Sequence, residues 1–323
     1  MRRIAGVVVL ALAVPGAPAG ADPLVTPSCT DVSVEASVFR TMGAPFPDVL
    51  ENLGFDGLGA MWVANSTTGR VHKLDPSGTD LGSFAVASPG ALTMGPDGKM
   101  YANFGDAVAG AALRTGHAGV VRFDPSAPNP GAIAPEPFAS GLDMANGGIF
   151  DDEGNYYASN DVGDGLVKIA PDGTADRDWV SLWGTNGLVV AGDSLYAAIT
   201  FDQRSPIERI PLADPAAHHT AAQTTFGVAS LEPRLYTEPD AQAPLAGVKG
   251  LDDMTLGPDG RLWVTANGTG EVLRVDPQSG ASCLVASGLQ NPSSIRFASS
   301  FGLYDGDAFV TEFSGTIRRL HLV

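Results

Sequence analysis

Positive charge is scarce in this chain. Its 323 residues include 19 Lys and Arg against 36 Asp and Glu, which gives a formal net charge of -17. Such a surface repels nucleic acid and anionic membranes, and it draws cations towards acidic clefts. We therefore expect no nucleic-acid partner. The same charge also serves solubility outside a cell, so charge alone does not establish a cation site.

Long apolar runs are also absent, with one exception at the N-terminus. Met1-Arg-Arg precedes an apolar run over residues 4–14, and the small residues Ala19-Gly-Ala21 follow. This series is typical of a secretory signal peptide cleaved after Ala21, because the run is too short for a membrane span. We expect a secreted protein, extracellular or in the cell envelope, with no membrane insertion.

Several catalytic motifs are missing. The sequence contains no Gly-x-Ser-x-Gly, no His-Glu-x-x-His and no cysteine in the context of a nucleophile. The five histidines are scattered along the chain. Serine, zinc-peptidase and thiol mechanisms therefore have no support.

What the chain does contain is a repeated pattern of short β-rich runs and tight turns. It is clearest over residues 250–276, where Pro258-Asp-Gly260 separates two apolar runs and a Gly-rich turn leads to a third. Further copies cover residues 51–63, 90–103, 146–159, 186–197 and 291–311. Runs of this kind predict β-meanders. Six meanders predict an all-β fold, a six-bladed β-propeller.

The predicted organisation has three parts: a signal peptide over residues 1–21, a linker with a ring-closing strand over 22–48, and the propeller over 49–323. The closing strand is expected within residues 31–40, because propellers commonly lend a terminal strand to the last blade. A long polar segment, 212–246, interrupts the fourth blade and is either a lid or solvated filler. We expect a monomer.

The two cysteines, Cys29 and Cys283, fall on either side of this ring closure. A bridge between them would hold the closure and suppress an open sheet edge. Export into an oxidising space favours that bridge. The alternative is a pair of free thiols.

Residues at the start of each blade's first strand should form a ring around the channel mouth. Counting back about eleven residues from the aromatic residue of each second strand locates that ring. The positions are Glu51, Gly90, Asn146, Asn186 and Asp252, with Asn291 or Ser293 in the sixth blade. Carboxylates and an amide carbonyl are hard oxygen donors, suited to Ca²⁺, Mg²⁺ or Mn²⁺. The alternative is a set of polar residues that cap hydrogen bonds around a wet channel.

The repeats resemble the senescence-marker-protein/gluconolactonase family, which includes regucalcin, from about residue 47 onwards. The resemblance is carried by Glu51 in Leu50-Glu-Asn52, by Asn186 in Thr185-Asn-Gly-Leu188, and by Asp252 in Asp252-Asp-Met254. It implies that Glu51, Asn186 and Asp252 bind one divalent cation. Calcium is the first choice, with Mg²⁺, Mn²⁺ or Zn²⁺ as alternatives.

The resemblance also implies a function. Asp252 would be the general base of a secreted, metal-dependent hydrolase of lactones or related esters, and Asn146 would orient the small-molecule substrate. Two positions depart from the family pattern: Met144 replaces the substrate-binding Arg, and Asp253 replaces the Gly after the catalytic Asp. Rival hypotheses are a non-catalytic propeller that binds a ligand or a protein, and a strictosidine-synthase-like enzyme.

Overall fold

The computed structural model describes residues 26–43, 48–202, 204–224 and 249–323. The predicted signal peptide and residues 225–248, which include the second part of the predicted long loop, lie outside these residues. Six four-stranded antiparallel sheets surround a central axis, so the prediction of an all-β, six-bladed propeller is confirmed. The α-helix found in the described residues, α1 (Val108–Leu113), lies in a loop of the second blade. No described helix has the length and apolarity needed to cross a bilayer.

The strands follow the chain in order, apart from the first. Strand β1 is Val34–Thr41. Blade one has β2 (Leu50–Phe55), β3 (Met61–Asn65), β4 (Arg70–Leu74) and β5 (Asp80–Ala85). Blade two has β6 (Leu92–Met94), β7 (Met100–Phe104), β8 (Ala118–Phe123) and β9 (Glu136–Leu142). Blade three has β10 (Gly148–Phe150), β11 (Tyr156–Ala158), β12 (Asp164–Ile169) and β13 (Ala175–Trp183).

The remaining blades complete the ring. Blade four has β14 (Thr185–Ala191), β15 (Ser194–Ile199), β16 (Pro206–Pro211) and β17 (His219–Gln223). Blade five has β18 (Leu251–Leu256), β19 (Leu262–Ala266), β20 (Glu271–Val275) and β21 (Ser282–Ser287). Blade six has β22 (Pro292–Phe297), β23 (Ala308–Glu312) and β24 (Thr316–Leu322), and β1 is its fourth strand.

The long interruption expected over residues 212–246 is partly wrong. Its first part contains β17, which pairs with β16 from Arg209↔His219 to Pro206↔Gln223. The polar composition of this stretch concealed a strand because an outer strand of a blade needs only one apolar face. His219 and Thr220 are exposed on it, whereas Ala222 is buried.

Ring closure joins the N-terminal strand to the last blade. Strand β1 pairs with β24, and Phe39 packs edge-to-face on Phe309 with ring centroids 5.1 Å apart. The predicted disulfide between Cys29 and Cys283 is present, and it joins the start of the described chain to β21. Backbone bonds beside it, including Cys29 N–H to Leu284 O at 2.9 Å, fix the same segment along blade five. The closure therefore combines a covalent bond, a sheet pairing and an apolar contact.

The acidic turns between first and second strands are structural. In blade one, Asp56 Oδ1 accepts the backbone N–H groups of Leu58 and Ala60, and Oδ2 accepts the Trp62 indole N–H at 3.0 Å. Asp151 repeats the arrangement in blade three and accepts the Tyr157 hydroxyl at 2.9 Å. These carboxylates hold the turn and its following aromatic side chain, so their oxygens are occupied by protein donors.

Candidate active site

The strand register identifies one equivalent ring position in every blade. The aromatic residues of the second strands pair with Gly54, Thr93, Ile149, Val189, Thr255 and Arg296. The residues three positions earlier are Glu51, Gly90, Asn146, Asn186, Asp252 and Ser293. The count made from the sequence therefore selects equivalent positions, and the register chooses Ser293 over Asn291 in blade six.

Four of these positions coincide with irregularities in the first strands. The pairing shifts between Leu50 and Asn52, between Thr185 and Leu188, between Leu251 and Met254, and between Pro292 and Ser294. Each shift adds one residue to the inner strand. A bulge of this kind re-aims side chains and is common beside active sites. Here the bulges fall at Glu51, Asn186, Asp252 and Ser293.

Glycines after the ring residues allow the blades to approach closely. A Cβ at Gly147 would lie 2.3 Å from Asn186 O, and a Cβ at Gly187 would lie 2.6 Å from Asp252 O. Both distances are too short for any side chain. The Asn-Gly pairs of blades three and four are therefore required by packing, and they bring Asn146, Asn186 and Asp252 into successive contact around the axis.

Hydrogen bonds between blades fix the backbone of the ring. Asn103 Nδ2 donates to Asn146 O at 3.0 Å, and Thr200 Oγ1 donates to Leu251 O at 2.8 Å. On the other side, Ser293 Oγ donates to Leu50 O at 2.6 Å. These bonds run to the ring residues or to their immediate neighbours, so the ring is a rigid part of the scaffold.

The predicted ligands differ in how their oxygens are used. Asn186 is only 3% exposed, and its buried Oδ1 has no hydrogen-bond partner among the described residues. Asp252 is buried as well, and its Oδ2 accepts a bond from Asn267 Nδ2 at 3.1 Å. Asn146 is buried, and its Nδ2 donates to both oxygens of Asp106 at 3.3 and 3.4 Å.

Two acidic residues of the site were not among the sequence predictions. Asp106 follows β7 and bonds Asn146, as described above. Asp161 follows β11, in a turn next to the ring, because Asn146 N–H bonds Ser159 O at 3.1 Å and Asn160 N–H bonds Thr185 Oγ1 at 3.4 Å. Its Oδ1 is buried and has no partner among the described residues. The stretch Asn160–Gly165 has the composition of a tight turn. It is a turn, and it also brings a carboxyl group to the site.

The carboxyl groups of the mouth interact electrostatically. Burial raises the pKa of Glu51 to about 8, and the charges of Asp161 and Asp253 contribute. Burial raises the pKa of Asp161 to about 7. Burial also raises the pKa of Asp106 and of Asp252 well above the usual range, and in both cases the charge of Glu51 adds to the effect. Glu51, Asp106 and Asp161 retain partial solvent contact, but the protein around them replaces much of their hydration.

These groups surround a space rather than sharing one point. Among the described residues, no three His, Cys, Asp or Glu side chains are grouped closely enough to hold a metal ion by themselves. A cation site at the ring would therefore depend on the amide oxygen of Asn186 together with Glu51 and Asp252. The donor chemistry fits a hard divalent cation, because a buried, unpartnered carbonyl oxygen and mutually repelling carboxylates both lack a positive partner.

Asp253 belongs to the floor beneath the ring. Its Oδ2 accepts bonds from Asn52 Nδ2 at 3.3 Å, from Ser294 Oγ at 2.5 Å and from Arg296 Nη1, whereas its Oδ1 has no partner among the described residues. The extra negative charge that the sequence introduces after Asp252 is thus paired with Arg296. On the far side of this floor, a cavity of about 310 Å³ opens, lined mainly by apolar residues such as Phe55, Leu188 and Phe297.

Comparisons with known proteins bear on the fold. No family model matches the sequence, and no curated protein matches it. Solved structures do match. A calcium-binding protein, regucalcin, from Agrobacterium tumefaciens is 16% identical with a TM-score of 0.61, covering 92% of this chain and 95% of that one. A gluconolactonase from Xanthomonas campestris is 14% identical with a TM-score of 0.61, covering 94% and 98%.

The fold is that of the gluconolactonase and regucalcin propellers. The resemblance seen in the repeats is confirmed at this level. The gluconolactonase-type fold also occurs in virginiamycin B lyase from Staphylococcus aureus, which is 14% identical with a TM-score of 0.57, covering 91% of this chain and 100% of that one. Since one fold carries a lactonase, a calcium-binding protein and a lyase, the function has to be argued from the site.

Proposed function

We propose that the protein is a secreted, divalent-cation-dependent hydrolase of lactones or related esters. The observation that carries this proposal is the buried, unpartnered Oδ1 of Asn186 on the same ring as two carboxyl groups, Glu51 and Asp252. A buried polar atom without a partner costs free energy, and two nearby carboxylates repel each other. One hard cation held by Glu51, Asn186 and Asp252 would satisfy all three groups, and calcium suits such oxygen donors best.

When bound, a divalent cation supplies positive charge that polarises a carbonyl oxygen and stabilises the oxyanion formed from it. Asp252 is the candidate general base for the attacking water. Its Oδ2 is oriented by Asn267, which leaves the other carboxyl oxygen to accept a proton. The carboxylate form is the reactive one, and opposite charge beside Asp252 favours that form.

Asn146 is the candidate substrate-orienting residue. Its amide nitrogen already donates to Asp106, so its carbonyl oxygen is the atom available to accept a hydrogen bond from a substrate hydroxyl. Met144 is buried near this position, where the family pattern has an Arg. Met144 supplies no positive charge for an acidic substrate group, which favours uncharged or positively charged lactones and esters.

The test is metal content and hydrolysis of a lactone and ester panel by the mature protein, before and after chelation. We expect one bound divalent ion, turnover lost on chelation and restored by Ca²⁺. Asp252→Asn should reduce turnover by about 100-fold or more, since a general base contributes at least that much. Asp178→Asn, which removes an exposed carboxylate from β13, is the matched control and should keep full turnover.

A non-catalytic binding propeller is the second candidate, favoured by Met144 in the position of the substrate Arg. It predicts a bound ion with no turnover on any lactone or ester. Absence of a stoichiometric ion would overturn the site itself.

A further inference from the structure

The proposed cation does not balance all the negative charge at the mouth of the channel. Two carboxylates, Glu51 and Asp252, would offset a divalent ion. Asp253 is paired with Arg296 beneath the ring. Asp106 and Asp161 remain, and each acts electrostatically on the others in the mouth. The loaded site therefore keeps up to two negative charges that the ion does not balance.

No described contact joins either residue to a cationic side chain. The hydrogen bonds described for the Asp106 carboxylate come from the Asn146 amide, a neutral donor. Asp161 Oδ1 has no partner among the described residues. An ionised carboxylate without a counter-charge is costly in a partly buried site. These two groups consequently lack a positively charged partner within the described protein.

The hydrogen-bonding character of the mouth points the same way. The amide nitrogens of Asn146 and Asn267 are already engaged by Asp106 and Asp252. Asn186 presents an oxygen that is buried and unpartnered, and Met144 offers no donor where the family pattern has an Arg. The mouth thus offers acceptors and negative charge to a ligand, and a complementary ligand supplies donors and positive charge.

We propose that this site selects lactones or esters that carry a protonated amine, with Asp106 and Asp161 as the residues that recognise the ammonium group. The inference rests on the proposed hydrolase function and names its substrate class. An ammonium group offers N–H donors and no acceptor, and its bonds to carboxylates are charge-assisted. Asp106 and Asp161 come from blades two and three, so the recognised group would lie on the side of the mouth next to Asn146.

The experiment compares three γ-lactones that differ in one substituent: a dimethylaminoethyl group, a neutral propyl group and a carboxyethyl group. Hydrolysis is measured with the calcium-loaded protein at pH 7.5. We expect kcat/KM for the cationic lactone to exceed that for the neutral one by about tenfold or more. A charge pair in a partly buried site contributes binding free energy on that scale. The carboxyethyl lactone should be the poorest substrate, and added salt should shrink the differences.

Variants locate the effect. Asp161→Asn and Asp106→Asn should each lower the cationic-to-neutral ratio towards one, mainly through KM. Asp178→Asn, which removes the same charge from the outer face of blade three, should leave the ratio unchanged. A ratio that falls equally in the Asp178→Asn variant would overturn the assignment, because the whole-protein charge would then be responsible.

Failure of the inference and failure of the proposed function give different results. Hydrolysis of all three lactones at similar kcat/KM would overturn the charge selection and leave the hydrolase intact. Absence of all hydrolysis would overturn the hydrolase, and calorimetric binding of the three lactones then decides the inference separately. Tighter binding of the cationic lactone that is lost in Asp161→Asn supports it, and equal binding of the three overturns it.

Discussion

The two ends of the axial channel differ in whether their acidic side chains are paired with a cation. On the floor, the carboxylate of Asp253 accepts hydrogen bonds from Arg296, Ser294 and Asn52, and the walls on the far side are mainly apolar. At the mouth, the carboxyl groups of Glu51, Asp106, Asp161 and Asp252 lie close enough to interact electrostatically. Neutral amides are the described partners of Asp106 and Asp252. The same six inner strands run through both ends, and at the mouth the loops after β7 and β11 add Asp106 and Asp161.

This contrast distinguishes acidic groups that stabilise the propeller from acidic groups that serve its function. A buried charge that only maintains the fold is expected to be paired, as Asp253 is. Unpaired carboxylates and a buried amide oxygen without a hydrogen-bond partner lower the stability of the fold. Such groups persist where a bound ligand supplies the missing partner. We therefore propose that the mouth is the functional end, and the predictions below test the two ends against each other.

The largest effect is expected at the floor. Arg296→Met leaves Asp253 buried without its cation, and it should lower the free energy of unfolding by about 3–5 kcal/mol, as breaking a buried ion pair does. The side chains of Arg296 and Asp253 are only 17% and 4% exposed. Urea denaturation monitored by circular dichroism measures the change.

The matched control is Arg209→Met, whose partner Asp193 is 84% exposed. An exposed pair of this kind contributes at most about 1 kcal/mol. Adding Asp253→Gly to Arg296→Met removes the stranded charge and should recover most of the loss. Equal destabilisation by Arg296→Met and Arg209→Met would contradict the view that the floor depends on charge pairing.

The fold and the ring could be predicted from the sequence because both depend on local, repeated features. Each tight turn and each aromatic residue recurs at a nearly constant spacing. A count of eleven residues back from that aromatic, or ten in blade four, reaches Glu51, Asn146, Asn186 and Asp252. In blade six the turn is longer, so the count left two positions open, and only the pairing of Arg296 with Phe309 identifies Ser293.

Asp106 and Asp161 could not be predicted in the same way because they follow the second strands in loops of unequal length. Asp106 comes after Asn103 and a left-handed glycine, Gly105, with φ of 78°. Asp161 comes directly after Asn160. A signal did exist: an Asn recurs at or just after the end of the second strand in four blades, at Asn65, Asn103, Asn160 and Asn267. The acidic residues beside those Asn residues were the ones to examine.

A smaller effect is expected from pH, and it concerns the mouth. Burial raises the pKa of Asp161 to about 7 in the folded protein. Burial, with repulsion from Asp161 and Asp253, raises the pKa of Glu51 to about 8. The folded state therefore binds protons more tightly than the unfolded state, whose carboxyl groups titrate near pH 4. The associated stability is fully present below about pH 4 and is lost as the pH rises through about 7 to 8.

For the metal-free protein we accordingly expect Tm to fall by about 5 °C or more between pH 5 and pH 8, a scale that corresponds to a few kcal/mol. Calcium should restore Tm at pH 8 and have little effect at pH 5, where protons compete for the same oxygens. Differential scanning calorimetry with and without chelator measures both. A Tm that rises from pH 5 to pH 8 without metal would contradict the electrostatics described for the mouth.

The smallest effect is expected from a single residue of the mouth. Asp161→Asn removes one repelling carboxylate whose Oδ1 is buried without a partner. In the metal-free protein at pH 8 it should raise the free energy of unfolding by about 1–2 kcal/mol, because the penalty for ionising the group is gone. Below about pH 4 the wild-type group is protonated in both the folded and the unfolded state, so the two proteins should unfold alike there. Asp178→Asn should change neither value, since that carboxylate is exposed.

A gain in stability at pH 8 combined with a loss of amine selectivity would identify Asp161 as a residue kept for function at a cost in stability. A loss of stability at pH 8 would instead mean that its carboxylate has a structural partner in the folded protein.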